Sequence, residues 1–210
     1  MPDSGRRLWP AAATAALITG LLATTAYGAV ITGTPGNDRI RGKAGPDQIS
    51  ALSGDDRVFA RRGADTVDLG PGDDRAFGGR GGDTISGSAG NDHLRGGRGK
   101  DTEDGGPGDD TIFANQGRDT TEGGDGNDRL FALSLKDVHG PADQAGDTVR
   151  GGGGDDRIAV RDGERDVVDC GPGIDTALLD FKDVVVDASC EVVSRHAPNR
   201  SDARAEDRVD

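Results

Sequence analysis

The sequence predicts an all-β fold: a flattened parallel solenoid of nonapeptide repeats, two per coil, closed by a short β-rich C-terminal cap. Three observations predict it. From Gly33 to Phe131 the chain reads as eleven nine-residue units in unbroken register, with Gly fourth and Asp sixth in every unit. The units alternate in character, so the full period is eighteen residues. Leu, Ile, Val and Phe together make up less than a fifth of the 210 residues, at a formal net charge of −13. That is too little apolar surface to repay chain entropy through a conventional core. A repeating fold, held by something besides a core, meets all three.

The chain opens with a separate element. Arg6 and Arg7 precede an apolar run from Leu8 to Leu22, followed by small residues around Ala26-Tyr27-Gly28. A basic start, an apolar middle and a small-residue end predict an export signal over residues 1–28. Gly5 and Trp9 match a twin-arginine signal poorly, which favours the general export route. The run is shorter than the ~20 apolar residues of a membrane span, so no membrane insertion is expected after cleavage.

The solenoid is expected over residues 29–178. The eighth position of the units is apolar at Ile40, Ile49, Val58, Val67, Ala76, Ile85, Leu94, Ile112 and Leu130, with Glu103 and Thr121 as exceptions. Odd units tend to end in Arg-apolar-Phe, as in Arg57-Val58-Phe59 and Arg129-Leu130-Phe131. Even units mostly carry Thr before the eighth position, as in Thr66-Val67-Asp68 and Thr84-Ile85-Ser86. Each unit therefore supplies a six-residue turn and a three-residue strand whose middle side chain points inward. Odd strands form one sheet and even strands the other, with coils stacked ~4.8 Å apart. Position one departs from Gly at Ala51, Ala60, Leu69 and Ala114.

Beyond Phe131 the register continues with damage. Residues 132–141 are ten extra residues, expected to form an extruded loop. Unit-like stretches resume with Asp147, Asp156 and, after one more inserted residue, Asp175. Residues 179–193, rich in Val, are the expected cap for the open sheet edge. The polar segment 194–210 is expected to be a disordered tail. Cys170 and Cys190 are the only cysteines, and in an exported chain they predict a disulfide that pins the cap.

Units such as Gly78-Gly79-Arg80-Gly81-Gly82-Asp83-Thr84-Ile85-Ser86 and Gly123-Gly124-Asp125-Gly126-Asn127-Asp128-Arg129-Leu130-Phe131 match a known pattern at every position. They resemble the RTX (repeats-in-toxin, haemolysin-type) calcium-binding nonapeptide, Gly-Gly-x-Gly-x-Asp-x-apolar-x. The resemblance covers roughly residues 33 to 178. It implies a parallel β-roll with calcium between stacked turns.

The residues support calcium on their own chemistry. Stacking alternate units aligns Asp38, Asp56, Asp74, Asp92, Asp110 and Asp128 along one edge, and Asp47, Asp65, Asp83, Asp101 and Asp119 along the other. Asp147, Asp156 and Asp175 extend the candidate metal ligands into the damaged region. Like charges at coil spacing repel, so the stack calls for a cation. Gly-rich turns expose carbonyl oxygens, and calcium takes six to eight hard oxygen ligands in tolerant geometry.

Other signals weigh less. Gly97-Arg98-Gly99-Lys100 mimics a phosphate loop, but Asp101 stands where Ser or Thr should follow the lysine. His93, His139 and His196 show no metalloprotease spacing, and no G-x-S-x-G occurs, so no catalytic site is expected. The acidic balance disfavours nucleic acid. Phe59, Phe77, Phe113 and Phe131 recur at multiples of eighteen, with Arg95 interrupting, and should form a ladder on the odd face. The ladder either strengthens the sheet or offers a stripe for self-association or for a surface glycan or protein partner. The expected whole is a secreted, non-enzymatic calcium-binding protein, extracellular or at the cell surface. The alternatives are a non-catalytic accessory or remnant of an RTX-type enzyme or toxin, or a calcium-dependent adhesin or matrix component.

Overall fold

A computed structural model describes residues 28–132, 146–186 and 190–195. The expected export signal, apart from Gly28, lies outside the described residues. So do the expected loop, apart from Ala132, and the segment beyond Arg195.

The described residues form two nine-stranded sheets in which every paired neighbour is parallel, with no helix. One sheet runs through the odd units from Arg39–Arg41 to Val192–Arg195, and the other through the even units from Val30–Thr32 to Val184–Val185. Register follows the eighteen-residue period: Ile40 pairs with Val58, Val58 with Ala76, and Ile49 with Val67. Every eighth-position side chain in the regular units is buried, Glu103 and Thr121 included. The two rows meet as a thin apolar core.

The strands are longer than the repeat predicts. Seven of them span six residues, such as Arg57–Arg62 and Arg75–Arg80, because pairing resumes after a kink at position two. That kink is left-handed, with φ of +116° at Gly79 and +87° at Arg61. Position four is left-handed as well in nearly every unit. At Gly81, with φ +128°, a Cβ would also collide with the Gly63 carbonyl of the coil beneath. Glycine is therefore required there by both conformation and contact.

The position-one departures have a packing reason. Ala51, Ala60, Leu69 and Ala114 are fully buried and add a second inward row to the core. Arg95 also departs from expectation. It continues the aromatic ladder instead of breaking it: Phe59 stacks on Phe77 at 5.0 Å and Phe113 on Phe131 at 4.8 Å. The Arg95 guanidinium lies 5.5 Å from the Phe77 ring centre and 5.1 Å from that of Phe113. A guanidinium stacks on a ring face much as a second ring does, so the row stays closed. His93 meets Phe113 edge-on and is half-buried.

At the C-terminal end the Val-rich segment adds the last rung of each sheet. Val184–Val185 pairs with Val167–Asp169, and Val192–Arg195 with Thr176–Leu179. The boundary expected at residue 194 thus falls inside a strand. Arg195 is anchored there, donating from Nη1 to the carbonyls of Asp180 and Asp183 at 3.1 Å each. The Cys170–Cys190 disulfide is present, with Cα atoms 5.3 Å apart, and ties this last coil to the one before. The insertion leaves the sheet intact. Thr120–Asp125 pairs directly with Thr148–Gly153, a step of 28 residues in place of eighteen.

Candidate metal centre

The sixth-position Asp residues stand in two columns, one along each edge of the roll. In the odd column the backbone N–H of each Asp donates to Oδ1 of the Asp one coil further on. Asp38 donates to Asp56 at 2.6 Å, Asp56 to Asp74 at 2.6 Å, Asp92 to Asp110 at 2.7 Å and Asp156 to Asp175 at 2.8 Å. The even column repeats the motif through Asp47, Asp65, Asp83, Asp101, Asp119 and Asp147. All fourteen Asp residues expected from the sequence lie in these columns and all are buried.

Three column members escape the sequence reading. Asp166 accepts from Asp147 at 2.7 Å, Asp183 accepts from Asp166 at 3.2 Å, and Glu191 takes the last odd place by accepting from Asp175 at 2.6 Å. Each is followed by x-apolar-x, as in Asp166-Val167-Val168-Asp169, which was the available signal. None has Gly two residues earlier, so half of the motif was missing.

Only one carboxylate oxygen of each Asp is used by the ladder. Oδ2 of Asp56, Asp65, Asp74, Asp83, Asp92, Asp101, Asp110, Asp128, Asp156 and Asp175 is buried without a hydrogen-bond partner. At the N-terminal end the pattern differs, since Oδ2 of Asp38 and Asp47 accepts the N–H of Thr34 and Lys43 at 2.6 Å. Burial dominates the acidity of six groups further along the columns. It pushes Asp74, Asp101 and Asp110 up to about 7, and Asp56, Asp92 and Asp128 to about 6, against the lowering effect of the donated N–H. For most of them neighbouring carboxylates add to the rise.

The position-one glycines leave a cradle beside these oxygens. A Cβ on Gly78 would meet Asp83 Oδ2 and the Gly96 carbonyl together, and one on Gly105 would meet Asp110 Oδ2 and the Gly123 carbonyl. A carboxylate oxygen and a carbonyl oxygen from the next coil thus converge repeatedly on one spot. Unpartnered buried carboxylates are costly unless protonated or neutralised by a cation. An all-oxygen set of carboxylates and carbonyls, without imidazole or thiolate, suits calcium in number and hardness.

A parallel roll of nonapeptide coils, its turns lined by carboxylates and carbonyls, is the class of protein this geometry defines. The chain belongs to the RTX calcium-binding nonapeptide repeat family, whose model matches it in four copies over residues 32–67, 68–103, 104–134 and 142–177. No curated protein shows significant similarity to the chain.

Proposed function

We propose that this chain is a secreted, non-enzymatic calcium-binding protein whose β-roll folds around calcium ions held between stacked Gly/Asp turns. The observation that carries the reading is the double column of buried carboxylates, each with one oxygen outside the hydrogen-bond ladder. In the metal-bound roll, Oδ2 of Asp56, Asp74, Asp92, Asp110 and Asp128 would hold ions along the odd edge, and that of Asp65, Asp83 and Asp101 along the even edge. Calcium there supplies the positive charge that the thin core lacks, so binding and folding are one equilibrium. The basic-apolar start of residues 1–28 and the Cys170–Cys190 disulfide support export to an oxidising compartment. Repeats fill the matched region, which supports a binding role over a catalytic one.

The test is far-UV circular dichroism of the chain in chelator, in millimolar calcium and in millimolar magnesium. Calcium should produce β-structure that chelator removes. Magnesium should substitute poorly, because it demands a tighter octahedral shell. Identical spectra in chelator and calcium would refute the reading.

A further inference from the structure

The even edge departs from its regular turn at one place. Regular turns such as Ala60–Asp65 hold six residues, with Arg62 and Ala64 exposed. The turn Val160-Arg161-Asp162-Gly163-Glu164-Arg165-Asp166 holds seven, and its column step from Asp147 to Asp166 is 19 residues. The extra residue turns acidic side chains inward: Asp162 is 4% exposed and Glu164 is 6% exposed. Asp147, Asp162 and Asp166 are all buried, and each offers a carboxylate oxygen within 4.8 Å of the other two.

Backbone N–H groups fix one oxygen of each of these carboxylates. Asp147 Oδ1 accepts from Asp119 N–H at 2.7 Å, Asp166 Oδ1 from Asp147 N–H at 2.7 Å, and Asp162 Oδ1 from Glu164 N–H at 2.9 Å. Independently of the clustering, Asp166 is fully buried and its Oδ2 has no hydrogen-bond partner. A buried carboxylate in that state, beside two others, points to a cation.

We propose that Asp147, Asp162 and Asp166 form a calcium site different in kind from the regular turns, with Asp162 as an added third carboxylate ligand, and that it is the tightest site of the roll. The proposal rests on the calcium-binding reading given above. Ligand oxygens around one calcium, each about 2.3–2.6 Å from it, can lie up to ~5 Å apart, which the observed cluster satisfies. A regular position brings one column carboxylate oxygen against a carbonyl of the next coil, whereas this one brings three carboxylates together. Affinity rises with ligand charge and with rigidity of the site. The rigidity comes from the following coil, where Cys170 is bonded to Cys190 and the Lys182 ammonium donates to the Gly163 carbonyl.

The experiment uses the full chain and calcium itself, with bound ions counted by equilibrium dialysis at buffered free calcium. The unaltered chain should bind one ion at least ~10-fold more tightly than the rest. Asp162→Asn should lose that ion alone, Asp162→Glu should restore it, and Asp83→Asn at a regular turn should leave it in place. On the unaltered chain, one equivalent of calcium should slow hydrogen exchange first at residues 146–170. Retention of the tight ion in Asp162→Asn, its loss in Asp83→Asn, or first protection elsewhere would each overturn the inference while leaving calcium-driven folding intact. If Asp162→Asn does not fold, failure of Asp162→Glu to hold the tight ion overturns it instead. A chain that binds no calcium at all would overturn the functional reading as well.

Discussion

Glu103 accepts a hydrogen bond from the Thr121 hydroxyl at 3.2 Å, and the two face each other across neighbouring strands inside the core. Burial, with Asp119 and Asp101 close by, holds the Glu103 carboxyl well above the usual range. Glu103→Gln keeps the shape and the acceptor for Thr121 but removes the ionisable group. At fixed calcium and pH 8, thermal unfolding should show a gain of about 1–3 kcal/mol. A loss of similar size would instead make Glu103 Oε1 a ligand beside Asp101.

Acid should fold the calcium-free chain. Asp56, Asp74, Asp101 and Asp110 of the columns have folded values of about 6 to 7 against 3.8 for the ordinary group. Their contribution to the metal-free fold is therefore complete below about 4 and lost as pH rises through 6 to 7. Calcium reverses the dependence, since the ion needs ionised ligands. Its affinity should fall from pH 8 to pH 5, with protons released on binding below about pH 7. Calorimetry in two buffers of different ionisation enthalpy reads that release, and equal heats at pH 6 would contradict the buried-carboxylate account.

Gly36 and Gly81 share the fourth repeat position, yet they should respond very differently to alanine. Gly36 lies in the first unit with nothing within 4 Å of its missing Cβ, whereas Gly81 is left-handed and lies against the Gly63 carbonyl. Gly36→Ala should stay within ~0.5 kcal/mol of the parent, and Gly81→Ala should lose about 2 kcal/mol or more. Calcium titrations at fixed temperature compare the two directly.

Order should spread from the disulfide end. Cys170–Cys190 closes a separation of 20 residues, worth on the order of 3 kcal/mol in the chain-entropy account. At the other end the even sheet begins with Val30–Thr32, and Val30 is largely exposed. Removing residues 179–210 should raise the calcium needed for folding far more than removing residues 33–50. Hydrogen exchange that protects residues 33–74 first would reverse the polarity.

Legibility in the sequence tracked how completely each position is constrained. The Asp columns and the sheet register were readable because Gly at position four and Asp at position six answer to backbone geometry that every coil repeats. Asp166, Asp183 and Glu191 were hidden because their turns are shaped without that glycine, leaving a lone acid before an apolar pair. The inward role of Ala51 and Leu69 was hidden for another reason. Position one accepts either a glycine beside a carboxylate or a small apolar side chain, and composition alone does not separate the two. Arg95 read as a gap in an aromatic row because its stacking on Phe77 and Phe113 depends on face-to-face geometry across coils.

The pairing of Ile40 with Val58 and of Phe59 with Phe77 sets a quantum for change in this lineage. Gain or loss of a single nonapeptide exchanges the two sheets for everything downstream. Thr66 would then fall beside Arg57, and the ring of Phe77 would lose its neighbour. Duplication or deletion by eighteen residues leaves every face where it was. Length variation among descendants of such a gene should therefore come in whole coils, and an addition that ignores the quantum should be tolerated only where the flanking coils still pair in register, as those of Asp119 and Asp147 do across a step of 28 residues.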